Sequence, residues 1–229
     1  MRCSGSLRLI ISSLLLLASL QRVSCSITVA VECSNGVLIG TDSVSTFGAP
    51  GQTLIHNRFS TSLFPVDDEI CLCYVAGGVE FLLLMEDILI ASLEYKSLQR
   101  RTRPQTPLSR LSAKAVTDIA RRLMHTRYRK IHLLVAGRED GDYHVYELLP
   151  GGTSVRQPIA ASGPGAGQAH ALASLLFEER CGVEEGVERL RTVLKRTIGE
   201  DIRSKGRLRV FRLTDEGLRE VPAPQLGTE

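Results

Sequence analysis

Apolar and polar positions alternate in short runs once the chain passes residue 26. Residues 27 to 33 and 36 to 42, in "ITVAVECSNGVLIGTD", read as two strands around "SNG", a hairpin whose turn calls for positive φ. "EICLCYVAGG" from Glu69 is a nearly continuous apolar run, a buried strand that stops at two glycines. From Val79 to about Leu98 the period lengthens to that of a helix, with Phe81, Leu82, Met85, Ile88, Leu89 and Leu93 on one broad face. "TRPQTPLS" breaks it, and a second helix follows from about Leu111 to His125 on a stripe of Val116, Ile119, Ala120 and Leu123.

The second half repeats these element types without repeating the sequence. "KIHLLVAGRED" and "DYHVYELLP" are strands joined at Asp140-Gly141, and "SVRQPIAAS" is a third extended piece. "GPGAG" opens two more helices, near 167 to 180 and 184 to 198, and "RLRVFRLTDEGLREV" closes as a hairpin. Strands, two helices, strands, two helices, strands is the order of an α+β fold. It predicts a four-layer αββα sandwich, two antiparallel sheets face to face with helix pairs on both outer surfaces.

The first 25 residues follow another grammar. A basic opening, the apolar run "LIISSLLLLASL" and the modest-sized "VSC" before Ser26 have the form of a secretory signal. The alternative is a removable propeptide. The run is too short to span a bilayer as a mature helix, so no membrane partner is expected of the mature form. The domain is expected over 26–222, after a prefix of 1–25 and before a flexible tail of 223–229.

With 229 residues, 43% apolar content and a mean hydropathy near zero, one globular domain is expected. A net charge of +3, with Lys and Arg interspersed among acids, speaks against a nucleic-acid partner. Cys33, Cys71, Cys73 and Cys181 lie beyond the prefix in spacings that match no disulfide framework and no zinc turn, so they read as buried free thiols. "GPGAG" lacks a phosphate-loop Lys and reads as a strand-to-helix turn. The five His residues are scattered, and none is assigned to metal or catalysis.

A hydroxyl residue opening a hairpin, then "GVLIGTDS", "NRFSTSLFPV", "YVAGG", "VRQPIAASGPG" and "DIRSKG", resembles the beta-type subunit of the 20S proteasome, an N-terminal nucleophile hydrolase. The resemblance covers 26 to 215. It is closest to the caspase-like catalytic subunit and its immune-induced counterpart, with several motif positions changed.

The resemblance implies a chemistry. In that family propeptide cleavage frees an N-terminal Thr whose hydroxyl attacks a peptide carbonyl while its own α-amine serves as base. Asp42 follows Ser26 by the family's sixteen residues, which puts Ser26 at the nucleophile's position. Matching "HNRFSTSLFPV" puts Ser62 where the family carries an essential Lys; ungapped counting lands on Arg58 instead. The two stand roughly 13 Å apart along an extended strand, so only one alignment holds, and the flanking residues favour Ser62. Gly77 matches the oxyanion-hole glycine, Asp201 and Ser204 the late pair that supports the amine, and Val75 the specificity pocket. Other positions depart from the family: Cys25 for the Gly before the nucleophile, Val44 after Ser43, Pro164 in the Gly-Ser-Gly turn, and Lys205 for a Gly.

Two functions follow from the resemblance, a ring subunit that cuts peptides with Ser26 and one that fills a beta ring with its own site weakened. The second is preferred, because the missing Lys at Ser62, the Pro164 substitution and the Cys25 junction all weaken the same site. The expected partners are the other alpha and beta subunits of a 28-subunit barrel and polypeptide substrates, in cytoplasm and nucleus, with no metal or organic cofactor. A secreted hydrolase is the further alternative if the prefix acts as a signal.

Overall fold

The computed structural model describes residues 23–25, 27–42, 45–47, 54–57, 62–74, 76–77, 79–102, 111–200 and 207–222. The first half holds strands β1 (Val23–Cys25), β2 (Thr28–Cys33), β3 (Gly36–Asp42), β4 (Ser45–Phe47), β5 (Leu54–Asn57), β6 (Leu63–Asp67), β7 (Ile70–Tyr74) and β8 (Ala76–Gly77), then helices α1 (Val79–Thr102) and α2 (Ala113–Thr126). The second half holds β9 (Leu133–Glu139), β10 (Asp142–Leu149), β11 (Thr153–Arg156) and β12 (Ile159–Ser162), then α3 (Ala166–Leu176), α4 (Val183–Glu200), β13 (Leu208–Thr214) and β14 (Gly217–Val221).

Two five-stranded antiparallel sheets, ordered β11-β10-β9-β7-β6 and β12-β2-β3-β13-β14, face each other. Strand alternation gives each sheet two apolar faces. Ala30, Val37, Ile39, Cys71, Cys73, Leu134, Ala136 and Phe211 meet between the sheets. The opposite faces pack on helices: Ile70, Leu72 and Val135 on α1 and α2, and Val29, Val31 and Leu38 on α3 and α4. This is the αββα sandwich expected from the element order. Each fully buried Leu or Ile in these layers contributes about 2–3 kcal/mol.

Four local expectations are corrected. The α1 face that packs is Phe81, Leu84, Met85 and Ile88, whereas Leu82 and Leu93 are exposed; the helix is apolar nearly all round, so periodicity could not choose the buried side. The β2–β3 turn has no positive φ at Ser34, Asn35 or Gly36, and the Asn35 side chain instead accepts from Val183 N–H at 2.9 Å. Asp140 and Gly141, by contrast, do take positive φ, 50° and 99°, as a tight hairpin turn demands.

The run from Glu69 does not continue as one strand. Tyr74 pairs with Leu133, the first residue of β9, so beyond it the ladder has no partner and the chain leaves for another sheet. "SVRQPIAAS" likewise divides at Pro158, which has no N–H for a ladder. Gln157 N–H still bonds Val145 in one sheet (3.1 Å), while the Pro158 carbonyl accepts from Glu32 in the other (2.8 Å).

Candidate active-site cleft

The start of β2, the end of β3 and the entry to β6 meet at one end of the space between the sheets. Asp42, the last residue of β3, is 1% exposed, and its N–H reaches the Ile27 carbonyl at 3.4 Å. Ser62 is 0% exposed and is fixed by its carbonyl, which accepts from Tyr74 N–H at 2.9 Å. Its Oγ lies 3.4 Å from the hydroxyl of Thr41, the residue before Asp42. The Thr41 hydroxyl also lies 3.1 Å from the Ile27 carbonyl and 3.4 Å from the Thr28 hydroxyl. Thr28, Thr41 and Ser62 are therefore a buried row of neutral hydroxyls where the resemblance placed a cation.

A small third sheet crosses this end in the order β5-β4-β1-β8. β1, just before residue 26, lies between two antiparallel neighbours: Val23, Ser24 and Cys25 face Phe47, Thr46 and Ser45, and Val23 and Ser24 face Gly77 and Ala76. Gly77 is thus brought beside the chain that leads into Ser26. Ser26, Arg58, Val75, Asp201 and Ser204 lie outside the described residues.

A second polar group, which spacing had not indicated, borders the row. Ser162 Oγ lies 2.8 Å from His132 Nδ1, and His132 Nε2 lies 2.8 Å from Glu147 Oε1, whose other oxygen accepts from Gln157. With Glu147 ionised, Nε2–H donates to the carboxylate and Nδ1 accepts the Ser162 proton; the tautomer follows from the partners. Ser162 is also the cross-strand neighbour of Thr28, so the relay and the hydroxyl row adjoin. Its members are 15 and 30 positions apart in sequence, and no helical or strand spacing links them.

Among the described residues no three His, Cys, Asp or Glu side chains converge as a metal ligand set. A cavity of about 520 Å³, lined in part by Glu69, Gln99, Arg138 and Asp140, lies at the other end of β7 from Ser62. It belongs to the surface between α1, α2 and the β9–β10 turn, away from the cleft. Among the described residues no helix is long and apolar enough to cross a membrane.

The sandwich fits one comparison. Residues 24–212 match the proteasome subunit family. The chain belongs to that family. Among proteins of this family it is similar to the proteasome subunit beta of Methanosphaera stadtmanae, 23% identical over 84% of this chain and 88% of the relative. It is also similar to the proteasome subunit beta type-1 of Saccharomyces cerevisiae, 28% identical over 84% and 85% of the two chains. The probable proteasome subunit beta type-1 of Schizosaccharomyces pombe is 27% identical over 86% and 83%. Each match spans most of both chains, so membership in the proteasome subunit family applies to the whole sandwich rather than to a fragment of it.

Proposed function

We propose that the chain is a beta-type subunit of the proteasome core particle whose own peptidase site is weakened. One observation carries the second half of that reading: Ser62 is fully buried among hydroxyls and brings no charge to the end of β3. A peptidase of this type needs a cation there to tune the α-amine and to stabilise developing negative charge. Loss of one preorganised electrostatic contact costs about 10²–10³ in rate.

The rest of the plan is retained in outline. β1 pairs on both sides by main-chain contacts, the way an extended peptide adds to a sheet edge. A polypeptide substrate would take its place once the prefix is removed, with its carbonyl near Gly77. The buried Asp42 and this strand arrangement support the second reading, in which Ser26 is freed and cuts. This reading keeps the likeness to the caspase-like subunit as its nearest plan.

On this reading the partners are alpha and beta subunits of the core particle, the compartment is cytoplasm and nucleus, and no metal or organic cofactor is required. Fractionation of cells expressing the chain tests it. The chain should co-sediment with core particles and be depleted from the medium. A chain found in the medium and absent from the particles would replace this reading with the secreted hydrolase.

A further inference from the structure

We propose that Cys33 and Cys181 form a dithiol site that closes into a disulfide under sustained oxidation, stapling the β2–β3 turn to the loop between α3 and α4. Main-chain geometry carries the pairing. Ser34 N–H donates to the Cys181 carbonyl at 3.0 Å, and the Ser34 hydroxyl donates to the same oxygen at 3.4 Å, across 147 positions of sequence. Two residues on, Asn35 Oδ1 accepts from Val183 N–H at 2.9 Å. Ordinary bond lengths then keep the Cα atoms of Cys33 and Cys181 no more than about 8 Å apart, an upper bound that takes in the span of about 4.4–6.8 Å a disulfide requires. Both side chains lie in the same apolar cluster, 0% and 8% exposed, close enough for Cys181 to help raise the Cys33 thiol.

The other adjacent pair does not qualify. Cys71 and Cys73 stand on one face of β7, paired with Ala136 and Leu134 of β9. Side chains two apart on a strand point the same way instead of converging, and bridging them would tear the ladder. Their contact shows as a Cys73 thiol held well above the usual range, first by a hydrogen bond with Cys71 and then by burial.

The exchange balances with a disulfide oxidant such as oxidised glutathione. The Cys181 thiolate, the less buried of the two, attacks one glutathione sulfur and expels a glutathione thiolate. The Cys33 thiolate then attacks the Cys181 sulfur of the mixed disulfide and expels the second. Two electrons pass to glutathione, and the two thiol protons end on the departing thiols or in water. Burial, reinforced by Cys181, pushes the Cys33 thiol up to about 12 despite the opposing charge of Arg180. Its thiolate is scarce at neutral pH, so the second step is slow. The pair therefore answers to a compartment rather than to a brief pulse of oxidant.

The test uses the full-length protein, held for hours in a glutathione buffer rich in the oxidised form, then alkylated, digested without reduction and mapped by mass spectrometry. A peptide joining Cys33 to Cys181, and a melting temperature about 5–10 °C above that of the reduced protein, is the expected result. Cys71→Ala should leave both unchanged, and Cys181→Ala should abolish both. Should Cys181→Ala not fold, the peptide map of the unsubstituted chain still decides. Cys33 and Cys181 both alkylated after the incubation, or bridged to Cys71 or Cys73, would overturn the assignment.

Discussion

Ser62→Lys is expected to raise the rate at which a peptide epoxyketone modifies Ser26 in the processed subunit by about 10²-fold or more. Ser62 sits where the backbone already enters the cleft: its carbonyl is bonded to Tyr74, and its side chain points at Thr41, one residue from Asp42. A lysine there would bring a full positive charge into a buried region beside a buried carboxylate, where electrostatic effects are far stronger than in water. Ser62→Met separates charge from bulk, since it has comparable reach without the cation, and it should give no gain. Equal labelling of all three proteins, each checked for a cooperative melt, would remove Ser62 as the cause of the weakened site.

Gly36→Ala is expected to cost about 3 kcal/mol and to lower the melting temperature by about 6–12 °C. Gly36 opens β3, and a Cβ there would lie 2.5 Å from the Leu213 carbonyl oxygen of β13, 2.9 Å from Thr214 Cγ2 and 3.0 Å from Val183 Cγ2. The nearest neighbour is backbone within a sheet, so it cannot rotate away. Gly167→Ala, in α3 with nothing within 4 Å of its added methyl, is the control and should be neutral or raise stability by up to about 1 kcal/mol. A Gly36→Ala protein as stable as the parent would show that the approach of β13 to β3 is not tight.

These two positions show what could be read from the chain before its fold was known. Gly36 reads in sequence as a turn residue, but what its position excludes is a side chain, through the close approach of the Leu213 carbonyl of β13, 177 positions away, rather than through positive φ. The strands were legible because each sheet buries both faces, which yields apolar runs such as Val37–Ile39 and Cys71–Cys73. Their partition was not: the departure at Tyr74 depends on where β9 begins, and that is set by pairing and not by local propensity.

The cleft divides in the same way. Ser62 stands out because its flanks resemble a known pattern, and the fold sets its hydroxyl 3.4 Å from that of Thr41 in β3. The Ser162, His132 and Glu147 relay was missed because its members come from β12, the residue before β9, and β10, and only the stacking of two sheets brings them together. Two half-buried polar residues and a serine at a strand end carry no joint signal in a single sequence. Buried polar groups of this kind must be paired to be tolerated, which is why the relay is complete on both sides of the imidazole.

The most direct test of the weakened-subunit account is the intact mass of this chain in purified core particles after exposure to a peptide epoxyketone. The chain is expected in the particles without an adduct, while active neighbours are modified. An adduct located on Ser26, formed as fast as on those neighbours, would contradict it.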